Sequence, residues 1–520
     1  MSKTPDRPDR RSAELPLWGV GALMAGALLV YSQTHAFGWD EGYHLLAAQL
    51  IRAGKLPYLD FCFPQTPMAA YWNAAWMCIF GESWRTVHAI AALCTSGAAV
   101  LSAHFVFQRF PVSGWRLGCA LTAALLIGGN TAVVQFATAG QPYGFCLVLI
   151  VAAFNCAVLA VDRSGPLLPA SAGFLAGAAA AGSLLTAPVA PVLLIWILLC
   201  NRSGSRLSKF AWFFAGALIS WTPVLWLFLR GPRQVFFNVI EYMLVHRRAG
   251  WIGATRHDFE VMASWVDSPQ ALTLGLLAAA GLFLTARDAR NRRWRAELHL
   301  CLWLAAALGV YVSCAHPTFA QYYIFAAPFL AIAASAGLYE VGSRLGSRPL
   351  WSVVAVATLV SGGLAKRLYE EGRDDFFWRD MEAVARKVEE VTPRHAALLA
   401  SEEHVYFLTR HPPPPGMEVE DSHSISLPPA DAALLHLAPR DELRKRTEAG
   451  EFDTVEICEE DQERVQALGL GRIYARSVEI TPCYVFWQRI GGARRAAIAG
   501  RAGPPRVALG FKARYPQCFT

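Results

Sequence analysis

The strongest constraint on this chain is the length of its apolar runs. A helix needs about 20 mostly apolar residues to cross a bilayer. Such runs recur at 16–35, 87–107, 117–137, 143–161, 166–182, 184–200, 210–229, 270–286, 298–314, 322–340 and 350–365. In lipid a backbone can find partners only within its own helix or a closed barrel. The expected fold is therefore an α-helical polytopic membrane protein with about eleven transmembrane helices. Composition agrees: 54% of the 520 residues are hydrophobic and 17% are charged, against about 25% charged in a soluble domain. This excludes disorder, a collagen-like repeat and a single ordinary cytosolic domain.

Orientation follows from Lys and Arg. Lys3, Arg7, Arg10 and Arg11 precede the first run; Arg109, Arg116, Arg163, Arg202, Arg206 and Lys209 mark later loops. The densest group is Arg287, Arg290, Arg292, Arg293 and Arg295, followed by Arg344 and Arg348. An odd number of crossings puts all of them on one side, which is the cytoplasm. Residues 166–200 carry no charge and are flanked by Arg163 and Arg202, so this segment must enter and return, turning at Gly182 and Ser183. The first run reads as an uncleaved span. The net charge of +7 is then mainly a record of orientation and gives no reason to expect a nucleic-acid partner. The expectation is an integral protein of a bacterial inner (plasma) membrane, with a cytoplasmic N-terminus.

From about residue 366 long apolar runs stop. Val384, Val388 and Val391 recur at helical spacing, Ala396–Ala400 and Phe452–Ile457 read as short buried strands, and Tyr484–Trp487 alternates less clearly. The chain thus divides into a transmembrane domain, 1–365, a small extracytoplasmic (periplasmic) α/β domain, 366–490, and a basic, poorly ordered tail, 491–520. Cys458 and Cys483, in the polar part, are either a disulfide or two free thiols.

Two outer loops are long, 36–86 and 230–269. The first opens Trp39-Asp40-Glu41-Gly42-Tyr43, two carboxylates just beyond a span. They read equally as a general base facing a lumen or as the solvated start of a helix. The loop continues through a helix over 42–53, then Gly54-Lys55-Leu56-Pro57-Tyr58-Leu59-Asp60-Phe61 and Phe63-Pro64-Gln65-Thr66-Pro67. A second, aromatic-rich helix over about 66–80 carries Tyr71 and Trp72, and the loop ends at Arg85. Both helices suit the membrane surface. The second loop holds Arg230, Arg233, His246, Arg247, Arg248 and Arg256 on the side where Arg should be scarce. Arg forks suit phosphate oxygens; the alternative is pairing with Glu241, Asp258 and Glu260, or with lipid headgroups. Arg85 and His316 are further candidate contacts on the same face.

The acidic pair after the first span, the helix, Gly-x-x-Pro-Tyr-x-Asp-Phe, Pro-x-x-Pro with aromatics, and an Arg opening the second span resemble a known family. It is the GT-C superfamily of integral-membrane glycosyltransferases, of the protein O-mannosyltransferase and aminoarabinose-transferase type (glycosyltransferase family 39-like). His316-Pro317 followed by Gln321-Tyr322-Tyr323 and Pro328 is similar to another family segment. The resemblance covers about 1–365. It implies an inverting transfer of a hexosyl or pentosyl unit from a polyprenyl-phosphate donor to a glycan, lipid or protein acceptor on the outer face, with membrane lipids around the bundle. Asp40 then corresponds to the general base, Glu41 to its accessory or structural neighbour and Asp60 to a positioning residue. Tyr43, Gln65, Tyr71, Gln141, Tyr143 and Tyr322 join the arginines as substrate-binding candidates. No cofactor is required; a divalent metal is conceivable but unsupported. Two positions depart from the pattern: Thr66 stands where aminoarabinose-type enzymes carry Lys, and Gln141 where relatives often carry an acid. A transporter or flippase of lipid-linked glycan intermediates is the main alternative, and a membrane-anchored binding or assembly protein is a third.

Overall fold

The computed structural model describes residues 10–34, 38, 40–247, 253–285, 292–374, 377–419, 425, 427–458, 470, 474–479 and 484–489. The helices follow the apolar runs. They are α1 (Arg10–Gln33), α2 (Glu41–Arg52), α3 (Met68–Phe80), α4 (Trp84–Arg109), α5 (Arg116–Gly128), α6 (Thr131–Ala137) and α7 (Tyr143–Asp162). Then come α8 (Leu167–Gly182), α9 (Val189–Leu199), α10 (Arg206–Arg230), α11 (Pro232–Phe236), a π-helical continuation Phe237–His246, α12 (Ala254–Asp267), α13 (Pro269–Thr285) and α14 (Arg292–Ser313). A 3₁₀ turn, Ala320–Ala326, leads into α15 (Ala327–Arg344) and α16 (Pro349–Asp374).

Seven of the described helices are long and apolar enough to cross a membrane, or up to nine if each of two bent pairs is one span. The predicted span 117–137 is one of these pairs: α5 and α6 meet at 56°. The break falls at Gly129-Asn130, where the Asn130 side chain accepts from the Val133 N–H and starts a new helix. The other pair is α12 and α13, at 73°. Residues 166–200 form two short apolar arms, α8 and α9, separated by a turn over Leu184–Thr186. The last run extends past the predicted 365, because α16 continues to Asp374.

Burial sorts the helices. The apolar windows of α7 and of the segment containing α15 are 67% and 72% buried, whereas those of α1, α10 and α16 are 22%, 28% and 17%. The first two form the centre, with Phe154 packed on Phe105 and Phe329 at ring distances of 4.9 and 5.6 Å. The other three offer Leu23, Val30, Phe214, Leu225, Leu229 and Trp351 outward, as lipid-facing helices should. Two helix pairs approach through glycine: a Cβ on Gly173 would lie 1.9 Å from the Phe213 carbonyl oxygen, and one on Gly281 2.1 Å from that of Ala333.

One end of the bundle is tied by charge. Arg109 lies 3.7 Å from Glu297, Arg202 3.4 Å from Asp162, and Arg293 pairs with both acids. These residues come from segments far apart in sequence. The loops 36–86 and 230–269 lie at the other end, because α4 and α7 each run from there to the charged end.

The polar C-terminal part forms α17 (Trp378–Val391), α18 (Glu403–Thr409), α19 (Pro429–Leu434), α20 (Arg440–Glu448) and a sheet. Its strands are β1 (Leu398–Leu399), β2 (Thr454–Cys458), β3 (Tyr474–Glu479) and β4 (Tyr484–Arg489), in the order β1-β2-β4-β3. β1 and β2 are parallel and the other pairs antiparallel. β3 was not expected: its Tyr-Ala-Arg-Ser-Val-Glu sequence mixes charge with apolar residues, which an edge strand tolerates. Cys483, and with it the Cys458–Cys483 alternative of disulfide or thiols, lies outside the described residues, as does the basic tail 491–520.

This part docks on the first outer loop. Trp378, Met381, Val384, Val405 and Phe407 share one buried cluster with Leu45 and Leu46 of α2 and Ala70 of α3. The Trp378 ring stacks on that of Trp84 at 4.9 Å, and Gln49 Nε2 donates to the Phe407 carbonyl at 3.1 Å.

Candidate active site

The site is built around the start of α2. Asp40 is its N-cap residue, solvent-exposed, with φ −68° and ψ −5° and no capping hydrogen bond from its side chain. An N-cap Asp that bonds the N–H two or three residues on has extended backbone; Asp40 is helical in φ and ψ, so it does not cap α2.

Glu41 behaves differently. It is fully buried. Its Oε1 accepts from the Gly140 N–H at 2.5 Å and bonds His88 Nε2, and its Oε2 accepts from Trp378 Nε1 at 3.3 Å. One carboxylate thus joins α2, α4, the loop before α7 and the C-terminal domain. Gly140 is required there, since a Cβ at that position would lie 2.6 Å from Glu41 Oε1. His88 Nδ1 lies 2.6 Å from the Ser32 carbonyl, which can only accept, so Nδ1 carries a proton. Both groups are buried and hydrogen-bonded, as buried polar groups must be. Glu41 is accordingly a structural hub, and it does not face the open side of the site.

Five groups gather at this face. Tyr43, one turn into α2, Tyr143 at the start of α7, Tyr322 in the 3₁₀ turn before α15, and Arg247 after the π-helical stretch lie within electrostatic reach of Asp40 and of one another. An Arg247 guanidinium N–H donates to the Tyr322 hydroxyl at 3.0 Å, and the guanidinium stands over the Phe319 ring at 5.2 Å. Burial opposes the charge on Arg247, but Tyr322 and Asp40 outweigh it and the pKa is raised. Burial and the Asp40 charge raise Tyr43 well above the ordinary phenol range, so it is a neutral hydroxyl at physiological pH. Gln65 Nε2 donates to that hydroxyl at 3.3 Å. Gln141 lies beside Gly38, where an added Cβ would sit 3.5 Å from the Gln141 Nε2.

The remaining candidates are engaged elsewhere. Asp60 closes its own loop by accepting from the Leu56 N–H at 2.7 Å, supporting Tyr58 at a left-handed φ of 70°. Tyr71 is half-buried on α3 near Tyr58. Arg85 pairs with Glu382 of α17 at 2.5 Å and lies over Trp84. His316 Nδ1 bonds Asp258 at 2.5 Å. Arg233 pairs with Glu241 and Arg256 with Glu260, the partners named above as the alternative to phosphate. Arg248 lies outside the described residues. Among the described residues no group of three or more His, Cys, Asp or Glu is placed to hold a metal ion.

Sequence reasoning missed His44, His88, His404 and Trp378. A signal existed for His88, because an ionisable residue inside an apolar span needs a partner. His44 and His404 face the contact between α2 and α18. Burial lowers both imidazoles from 6.5 to about 3, with Glu41 opposing. Lowered histidines give stability that is full above the unfolded pKa, near 6.5, and is lost as pH falls towards 3. At pH 5 the loss is up to about 2 kcal/mol for each imidazole. The melting midpoint of the purified chain should therefore drop between pH 7.5 and pH 5, and less so with both His44→Gln and His404→Gln. An equally steep profile in the double variant would remove these histidines as the cause.

The arrangement is a polytopic bundle whose first outer loop carries helices on which an α/β domain is seated. Solved structures agree. The chain is similar to ArnT from Cupriavidus metallidurans bound to undecaprenyl phosphate, with TM-score 0.68 and 14% identity over 96% of this chain and 100% of that one. It is also similar to the Archaeoglobus fulgidus oligosaccharyltransferase in complex with Zn and sulfate, with TM-score 0.50 and 14% identity over 87% of this chain and 69% of that one. No family model and no curated protein sequence matches the chain. At this identity the likeness is one of fold: the chain is a polytopic membrane protein that shares the fold of these structures.

Proposed function

We propose that the chain is an inverting glycosyltransferase that moves a hexosyl or pentosyl unit from a polyprenyl-phosphate donor to an acceptor at the extracytoplasmic face. The observation that carries this reading is the convergence of Asp40 and Arg247 on one group of phenols. The ArnT structure bound to undecaprenyl phosphate supports the donor class. The positive-inside pattern supports a cytoplasmic charged end and an outer Asp40 end.

In the proposed reaction the carrier phosphate lies at Arg247 and Tyr322, with its tail among the helices. Asp40 takes the proton of the acceptor hydroxyl or amine. The acceptor atom bonds the anomeric carbon as the carbon–oxygen bond to phosphate breaks on the opposite side. The electron pair leaves with the phosphate, whose added charge Arg247 stabilises. No nucleotide, covalent intermediate or metal is needed to balance this step.

Mass spectrometry of lipid co-purified with the full chain tests the donor class. A polyprenyl phosphate or its glycoside is expected, and that lipid with a radiolabelled sugar should support transfer to a component of the membrane extract. Failure to bind or consume any such lipid would defeat the proposal.

A further inference from the structure

Arg247 stands at the end of an unusual piece of backbone. A π-helix is rare and mostly limited to a single turn, yet here it runs from Phe237 to His246, and Arg247 follows directly. Contacts from outside the stretch must hold its turns open, and the central one is made by Asn238. This residue is fully buried. Its Oδ1 accepts from the Phe63 N–H at 2.8 Å and from the Cys62 thiol at 3.3 Å, and its Nδ2 donates to the Gln234 carbonyl at 2.9 Å. A backbone N–H only donates and a carbonyl only accepts, so these partners fix the orientation of the amide. Gln234 belongs to α11, where the helix gives way to the wider turns. Phe63 lies in the first outer loop, two residues before the Gln65 that donates to the Tyr43 hydroxyl. One side chain therefore joins the segment that carries Gln65 to the segment that carries Arg247.

The wide turns decide where Arg247 points. Asn238 and Arg247 are nine residues apart. That is about two π-helical turns, but roughly two and a half α-helical ones. In the π register the two residues share a face; in an α register they would oppose each other. The residues between them agree. Tyr242 is buried with Phe237 and Cys62 against Leu435 and Leu437 of the C-terminal domain, and Met243 packs on the same cluster. An Arg247 guanidinium nitrogen lies 3.6 Å from the Met243 sulfur. Ile240, Leu244 and Val245 are exposed on the other side.

We propose that Asn238 is a positioning residue: by tying the start of the π-helical stretch to Phe63, it holds the register that brings Arg247 to Tyr322. Its consequence for donor binding rests on the glycosyltransferase reading; the register itself does not.

The test uses the full chain in lipid nanodiscs. Asn238→Leu keeps the approximate volume but leaves the Phe63 N–H without its acceptor. Hydrogen exchange over 239–247 should accelerate by about 10-fold or more, while that of α2 stays parental. By isothermal titration, affinity for a short-chain polyprenyl phosphate should fall about 10- to 100-fold, the scale of a lost charge-assisted hydrogen bond, at unchanged stoichiometry. A merely structural role would lower the stoichiometry, by loss of folded protein, and leave the affinity of the remainder intact. Added to Arg247→Ala, the substitution should weaken binding no further, because its effect passes through that side chain. Should Asn238→Leu not fold, Asn238→Ser retains a hydroxyl acceptor and is measured in its place, with the same direction and a smaller loss. The inference is overturned if the folded variant binds the carrier as tightly as wild type, or if its effect multiplies with that of Arg247→Ala. If wild type binds no polyprenyl phosphate, the glycosyltransferase reading has failed instead. The exchange measurement then decides the register alone: acceleration over 239–247 sustains the role of Asn238, and parental exchange overturns it.

Discussion

Asp40→Asn should yield a chain that folds and inserts like the parent, yet transfers sugar about 10³-fold more slowly, within the range of about 10²–10⁴ for losing a general base. Both halves follow from the geometry. The carboxylate makes no capping bond to α2, so an isosteric amide leaves the helix start in place, and any loss of stability reflects its lost attraction to the buried Arg247 guanidinium. The anchoring of the helix start belongs to Glu41, one residue on, which is untouched. An amide cannot accept the acceptor's proton, so the loss should fall on kcat and leave donor binding near wild type. Donor consumption against a membrane extract, with carrier-lipid affinity measured in parallel, checks it. A variant transferring at the parental rate would remove Asp40 from the base role.

Arg247→Ala should lose about 10²–10³-fold in kcat/KM, the scale of removing one preorganised group that stabilises developing charge. Here, unlike Asp40→Asn, affinity for the free carrier phosphate should weaken together with turnover. Arg247→Lys keeps the charge but not the planar fork, and should recover part of the loss. Tyr322→Phe removes only the hydroxyl that accepts from Arg247 at 3.0 Å; its expected cost of about 1 kcal/mol is roughly a factor of five. Isothermal titration with a short-chain polyprenyl phosphate separates binding from turnover. Unchanged affinity in Arg247→Ala would place the phosphate elsewhere.

The bundle was largely legible because lipid enforces its rule on sequence: long apolar runs became helices near the expected boundaries, and the uncharged 166–200 segment folded as two arms. Where a run was broken by a local signal, as at Asn130, counting apolar residues overran it. Asp40 and Arg247 were nameable from loop position and chemistry, and Tyr43, Tyr143 and Tyr322 through the family resemblance. Their grouping was not, because it depends on a π-helical stretch and a 3₁₀ turn that no periodicity announces. The outer arginines show the limit most clearly. Arg233, Arg247 and Arg256 look alike as letters; only folding assigns Glu241 to the first and Glu260 to the third, leaving Arg247 to meet Tyr322. Arg85 and His316 were drawn off likewise, by Glu382 and Asp258.

The Trp378 indole bonds the same carboxylate that secures the start of α2, and this bears on how such chains can be cut and recombined. The composition changes near 366, which invites a graft there between an enzyme's membrane half and a relative's soluble half. The seam would run through the support of the reacting groups. A chimera joined at that point must carry a matching residue pair across the joint, or inherit a loosened helix start along with its new tail. A tail exchanged onto this membrane part would have to bring a donor to Glu41 where the Trp378 indole stands.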